Sequence, residues 1–164
     1  MLRICRPWAA IFSVVVLLAG CASPPRAVNP PEQPVASLTG RLSLRVDADP
    51  SSSFTAGFEL KGNAQAGELS LYAPLGATIA QLSWTPTDAR LRTNGAERGF
   101  DSLDALVKTA TGTELPVSSI FLWLAGENAS ADGWQADLGE LSRGRLVARR
   151  NVPPPVVDLR LVLE

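Results

Sequence analysis

The 164-residue chain has no histidine, two cysteines and a near-even balance of 15 basic to 16 acidic residues. The missing histidine rules out a histidine-dependent catalytic triad and removes the commonest general base and metal ligand. The charge pattern carries no nucleic-acid footprint, which would be a basic patch or a strongly basic domain.

Arg3 and Arg6 precede an apolar run from Trp8 to Leu18, followed by Leu18-Ala19-Gly20-Cys21. A positive start, a short apolar segment and small residues before a cut mark residues 1–20 as a secretory signal peptide. The run is well short of the roughly 20 residues a membrane-spanning helix needs. Cysteine directly after Leu-Ala-Gly looks like a bacterial lipoprotein signal, which implies a diacylglycerol thioether on Cys21, cleavage before it and N-acylation of the new terminus. One acyl chain binds membranes only marginally, and two signals give stable anchoring, so three chains make a permanent anchor. By resemblance to enterobacterial sorting, Ala22 after the cysteine favours the outer membrane. Cys5 leaves with the leader and Cys21 carries lipid, so no thiol remains for a disulfide, a metal or a nucleophile. Loss of Arg3 and Arg6 also moves the net charge from −1 to about −3.

Residues 22–34 read ASPPRAVNPPEQP, five prolines in thirteen positions. Extended polyproline rises about 3.1 Å per residue, so these thirteen residues, within the segment 21–37, either form a tether that can hold a folded domain up to roughly 40 Å from a membrane or are a disordered leader of no mechanical importance. The folded domain then spans 38–164, a length suited to one domain.

Leu42, Leu44 and Val46 alternate with Arg41, Ser43 and Arg45, which predicts a strand. After a loop at Asp49-Pro50-Ser51-Ser52-Ser53, Phe54, Ala56, Phe58 and Leu60 mark a second strand with one apolar face. Residues 67–84, GELSLYAPLGATIAQLSW, alternate on both arms and predict a hairpin. Its turn, Ala73-Pro74-Leu75-Gly76, suits a type I geometry: Pro74 pre-sets φ at the second position, and Gly76 can take the positive φ of a following bulge. Leu75 then points away from both strands. It either folds back onto a neighbouring loop or probes a membrane, since burial of one leucine is worth roughly 1.5–3 kcal/mol, too little to anchor a protein but enough to bias a transient contact. A further hairpin is expected around Asn94-Gly95.

The period then becomes helical. In residues 101–112, Leu103, Leu106, Val107 and Ala110 share a face, Asp101 or Ser102 can cap the start and Gly112 can close the end. After Pro116, Val117, Ile120, Phe121 and Leu124 share a second face, with Ser118 or Ser119 helping the start and Gly126 ending it. Trp134, Ala136 and Leu138, then Leu146 and Ala148, then Val157, Leu159, Leu161 and Leu163 mark three more strands. The expected fold is mainly β with two short helices (α+β), a curved antiparallel sheet with the helices against its apolar face.

Little in this chain suggests catalysis. Asp101 and Asp104 could pair as acid and base, but near a helix start they read more simply as a cap and a partner for the helix dipole. Arg149-Arg150 is a lone basic pair that reads as a solvated edge rather than an anion site. Trp84, Trp123 and Trp134, with Phe54, Phe58 and Phe121, either fill a core or line a ligand cavity.

The ordered set Gly40-Arg41-Leu42-Ser43-Leu44, residues 67–76 with Ala80-Gln81-Leu82, Asp101-Ser102-Leu103-Asp104-Ala105-Leu106, Gly112 with Leu115-Pro116-Val117, Trp123-Leu124-Ala125-Gly126, Gly133-Trp134 and Leu159-Arg160-Leu161 resembles the LolB family of outer-membrane lipoprotein receptors. The resemblance spans nearly all of the mature domain. It implies an incomplete eleven-stranded β-barrel with a helical lid over an apolar cavity, shared with the periplasmic carrier LolA. The implied function is non-enzymatic: the protein, anchored in the outer membrane and facing the periplasm, takes acylated lipoprotein cargo from LolA and inserts it into outer-membrane lipid. The resemblance also implies that Leu75, supported by Pro74 and Gly76, is the membrane-insertion residue. Leu44, Phe58, Leu71, Leu82, Leu106, Leu124 and Trp134 are the cavity candidates on the inward faces. No catalytic residue, metal, cofactor or nucleic acid is expected, and the chain is expected to act as a monomer. The alternative is a structural or envelope-assembly lipoprotein that binds a protein partner through its sheet edge, with a filled core and no lipid cavity. A carboxylate-dependent hydrolase built on Asp101 and Asp104 stands further off.

Overall fold

The structure is a computed structural model that describes residues 37–47 and 49–164. The leader, Cys21 and the proline tether lie outside the described residues. The described chain forms nine strands and two α-helices: β1 (Ser37–Val46), β2 (Phe54–Gly62), β3 (Gly67–Tyr72), β4 (Thr78–Thr85), β5 (Asp88–Thr93), β6 (Ala96–Phe100), α1 (Leu103–Thr111), α2 (Val117–Leu124), β7 (Trp134–Asp137), β8 (Arg145–Arg150) and β9 (Val157–Leu163). The family resemblance implies eleven strands; nine are present among the described residues.

All nine strands join one antiparallel sheet in the order β6-β5-β4-β3-β2-β1-β9-β8-β7. The first six form a meander, and the last three return along the free side of β1, where Leu42 faces Leu161 and Leu44 faces Leu159. Strands β6 and β7 each keep one unpaired side, so hydrogen bonding does not close the sheet among the described residues. Side chains alternate along each strand, and the registers bring Leu44, Phe54, Leu71, Ala80 and Leu159 to one face. That face and the two helices make a single apolar core, in which Leu44, Leu106, Trp123, Leu146 and Val157 are almost completely buried.

The β3–β4 turn has the expected form. Gly76 N–H donates to Ala73 O (2.8 Å), Ala73 N–H donates to Ala77 O (2.8 Å), and Gly76 adopts φ 84°. This is a type I turn followed by a glycine bulge. A second irregularity follows at once: Leu71 pairs with Ala80 but Tyr72 pairs with Thr78, leaving Ile79 as the extra residue. The Asn94-Gly95 turn places both residues at positive φ, 51° and 77°, as a two-residue hairpin of the primed type demands.

Helix α1 starts at Ser102, whose hydroxyl accepts from Ala105 N–H (3.2 Å), and ends on Gly112 at φ 70°. Asp104 sits in its first turn, which favours the helix dipole. Helix α2 departs from expectation at its start, where Pro116 occupies the cap position without a side-chain hydrogen bond; Ser119 instead donates to Ser130 O (3.4 Å). Proline restricts φ at the entry but carries no side-chain acceptor, so α2 starts without a side-chain cap. Its end follows expectation. Glu127 N–H donates to Leu122 O, Gly126 N–H donates to Trp123 O, and Gly126 takes φ 84°.

Candidate functional site

An apolar cavity of about 380 Å³ lies between the sheet and the two helices. Strands β1 and β2 contribute Leu42, Leu44, Phe54, Phe58 and Leu60, and β3, β4 and β5 contribute Leu69, Leu71, Ala80, Leu82, Trp84 and Leu91. From β9 come Leu159 and Leu161, while α1 supplies Leu103 and Val107 and α2 supplies Val117, Ile120, Phe121 and Leu124. The remaining wall residues are Leu115, Ala110 and three threonines, Thr93, Thr109 and Thr111. Among the described residues no charged side chain takes part. Trp84 is held by its indole N–H, which donates to Asn63 O (2.9 Å), and its ring tilts against Phe121 with centroids 6.3 Å apart.

Five of the seven cavity candidates, Leu44, Phe58, Leu71, Leu82 and Leu124, are on this wall; Leu106 and Trp134 are not. On α1 the residues i and i+4, Leu103 and Val107, face the cavity. Leu106 precedes Val107 by one position, about 100° around the helix, and is sealed in the core. Trp134 lies on β7, beyond the strands that form the wall. Of the other aromatics, Trp123 is fully buried and donates to Ala129 O (2.9 Å), a packing role. Ala110 belongs to the apolar face expected of α1, the contribution of Thr109 had no apolar signal in the sequence, and those of Leu159 and Leu161 become visible only once β9 is known to pair with β1.

A second depression, of about 870 Å³, is polar and is bounded by Asp104, Lys108, Glu114, Asp132, Trp134 and Arg150. Here the structure corrects the reading of Arg149-Arg150 as a solvated edge. Arg149 is exposed and pairs with Asp158 (3.6 Å), but Arg150 is only 6% exposed. Strand alternation puts Arg150 on the inner face with Leu146 and Ala148. Its Nη2 donates to Thr113 Oγ1 (3.0 Å), its Nη1 donates to Glu114 O (3.3 Å), and its guanidinium lies 5.7 Å from the centre of the Trp134 ring. Its buried Nε has no hydrogen-bond partner among the described residues. The Lys108 ammonium, 2.7 Å from Glu114, holds that carboxyl below the usual carboxylate range, with Arg150 a lesser contributor in the same direction. Asp101 and Asp104 do not converge on the apolar cavity.

Leu75 is 99% exposed at the tip of the β3–β4 turn, and Ile79, in the bulge beside it, is 43% exposed. Leu75 does not fold back onto a neighbouring loop. A Cβ on Gly76 would meet open space, so the turn projects freely.

Residues 36–150 match the family model described as outer membrane lipoprotein LolB. The chain belongs to the LolB family. Among its relatives, the outer-membrane lipoprotein LolB of Bordetella petrii is 30% identical over 183 aligned positions, covering 96% of this chain and 92% of the relative. The LolB of Bordetella pertussis is 31% identical, with 93% and 89% covered, and that of Dechloromonas aromatica is 31% identical, with 78% of each covered. Membership makes this an outer-membrane lipoprotein, and its fold is mainly β with two short helices. In this LolB-family chain the matched stretch includes both helices, the Leu75 hairpin and all of the cavity wall except Leu159 and Leu161.

Because no ionisable group among the described residues lines the cavity, its affinity for an uncharged acyl probe should not vary between pH 5 and 8. Fluorescence titration with a pyrene-labelled diacylglycerol checks this. A change of more than about threefold across that range would mean that the probe binds in the polar depression instead.

Proposed function

We propose that this LolB-family chain receives acylated lipoproteins from the carrier LolA, holds their acyl chains between the sheet and helices, and inserts them into the outer membrane from its periplasmic face. The observation that carries the reading is a cavity without a single charged wall residue among the described residues in a chain that also presents Leu75 fully exposed on a hydrogen-bonded turn. In this reading the open sheet is an incomplete barrel, α1 and α2 are its lid, and Cys21 is the lipid anchor.

The driving force is differential affinity. Burial of each methylene is worth roughly 0.8 kcal/mol, so an acyl chain moves from the carrier to this cavity, and from there to the bilayer, wherever more of its surface is withheld from water. No nucleotide or covalent step is needed. Leu75 contributes a brief local contact with lipid, a role suited to one leucine on a protein whose own anchor is permanent.

The test uses the mature chain made without residues 1–20, so that Cys21 stays unacylated. Mixed with a LolA–lipoprotein complex, it should take the lipoprotein over and release it to liposomes of outer-membrane phospholipids. Failure to take up lipoprotein or any acyl probe would overturn the proposal in favour of a lipoprotein that binds a protein partner through its sheet edge.

A further inference from the structure

From the placement of the cavity wall relative to the β3–β4 turn, we infer that acyl chains enter and leave through an opening between Thr93 of β5 and Thr109–Ala110 of α1, at the end of the sheet that carries Leu75. The inference rests on the acyl-transfer reading above and adds to it a route and the residues that bound it.

Three observations converge on this opening. First, of all the residues on the cavity wall, only Thr109 and Ala110 are exposed to solvent; every other one is buried or half-buried. The wall therefore meets water at the C-terminal half of α1. Second, the strand registers fix which end of the sheet this is. Phe54 is the first residue of β2, Thr93 is the last of β5, and Leu71 and Ala80 face each other immediately before the bulge that leads to the turn. Helix α1 ends at the same place, since Gly112, which closes it, is packed so tightly on Ser52 of the β1–β2 connection that a Cβ there would lie 2.5 Å from the Ser52 hydroxyl oxygen. The exposed Leu75 and Ile79 belong to the turn and bulge at this end.

Third, the polar groups at the opening are already occupied. Thr93 Oγ1 donates to Ile79 O (3.1 Å), Thr109 Oγ1 to Ala105 O (2.9 Å) and Thr111 Oγ1 to Val107 O (2.8 Å). Back-bonding of this kind is common for threonine in helices. Here it has the effect that a hydrocarbon chain passing the rim strands no hydroxyl donor, and so meets no added desolvation cost. A chain leaving by the opposite end would expose its methylenes to water before reaching the bilayer that Leu75 touches, and each exposed methylene would raise the barrier. The opening beside Leu75 avoids that exposure.

The experiment measures exchange rates by stopped-flow fluorescence, using the mature chain made without residues 1–20 and liposomes carrying a pyrene-labelled diacylglycerol. Ala110→Trp should slow uptake and release together by about tenfold or more. Ala105→Trp, on the same helix but off the cavity wall, should exchange at the wild-type rate. Bulk can also be added after folding, by labelling Ala110→Cys with a large maleimide and comparing it with wild type labelled at Cys21 alone; the same slowing is expected. Wild-type exchange rates in both Ala110 derivatives would overturn the opening while leaving acyl binding intact. A wild-type chain that takes up no probe would overturn the transfer reading and this one with it.

Discussion

Leu75→Glu should leave the chain folded and able to accept a lipoprotein, while delivery to liposomes falls by at least tenfold. Folding is spared because Leu75 buries almost nothing: it is 99% exposed, and the turn is held by the Ala73, Ala77 and Gly76 backbone groups and by the positive φ of Gly76. Acceptance is spared because Leu75 is not on the cavity wall. Delivery suffers because the wild-type leucine gains roughly 1.5–3 kcal/mol by entering an apolar phase, and a carboxylate gains nothing there and is repelled by anionic lipid. About 1.4 kcal/mol corresponds to a factor of ten, so the lost contact alone accounts for a decrease of ten- to a hundredfold. Leu75→Ala should fall in between. The two half-reactions are measured separately, transfer from carrier to chain by affinity capture and transfer from chain to liposome by flotation. Normal flotation for Leu75→Glu would make Leu75 an ordinary surface leucine, and a parallel loss of capture would move its role to the carrier interface.

Much of this architecture was legible because the physics that sets it is local. Alternation of apolar and polar residues located the strands to within a few positions, except β6, which followed only from the Asn94-Gly95 turn before it. The Pro74–Gly76 pair specified the turn, and Asn94-Gly95 specified the next one. The shared face of Val117, Ile120, Phe121 and Leu124 predicted a helix whose apolar side must be covered, and all four prove to line the cavity. What could not be read was long-range. The return of β9 beside β1 sets two leucines in the wall, and no local period reveals that pairing. For Leu106, a one-residue offset on a helix decided between core and cavity, a distinction finer than the breadth of an apolar face.

Arg150 is the instructive failure, because its signal was present. Leu146, Ala148 and Arg150 alternate, which points the arginine inward, but adjacency to Arg149 suggested a shared solvated edge. In the fold it bridges β8 to the α1–α2 connection through Thr113 and Glu114 while stacking near Trp134. Arg150→Ala should therefore lower unfolding stability by about 3 kcal/mol. A charge-assisted hydrogen bond to the Thr113 hydroxyl is worth roughly 1.5–3 kcal/mol, the guanidinium over Trp134 adds about 0.5–2 kcal/mol, and the truncated side chain leaves a cavity that adds to the cost. Set against these is relief from burying a cation that, among the described residues, has no carboxylate bonded to it and an unpaired Nε. Replacement of a buried charge by an apolar side chain of similar length is often neutral or stabilising, so Arg150→Met should stay within about 1 kcal/mol of wild type. Urea unfolding followed by tryptophan fluorescence distinguishes the cases. If Ala and Met cost equally little, the ties to residues 113 and 114 are not formed in solution; if both cost 3 kcal/mol or more, the guanidinium's hydrogen bonds rather than its volume hold the two helices to the sheet.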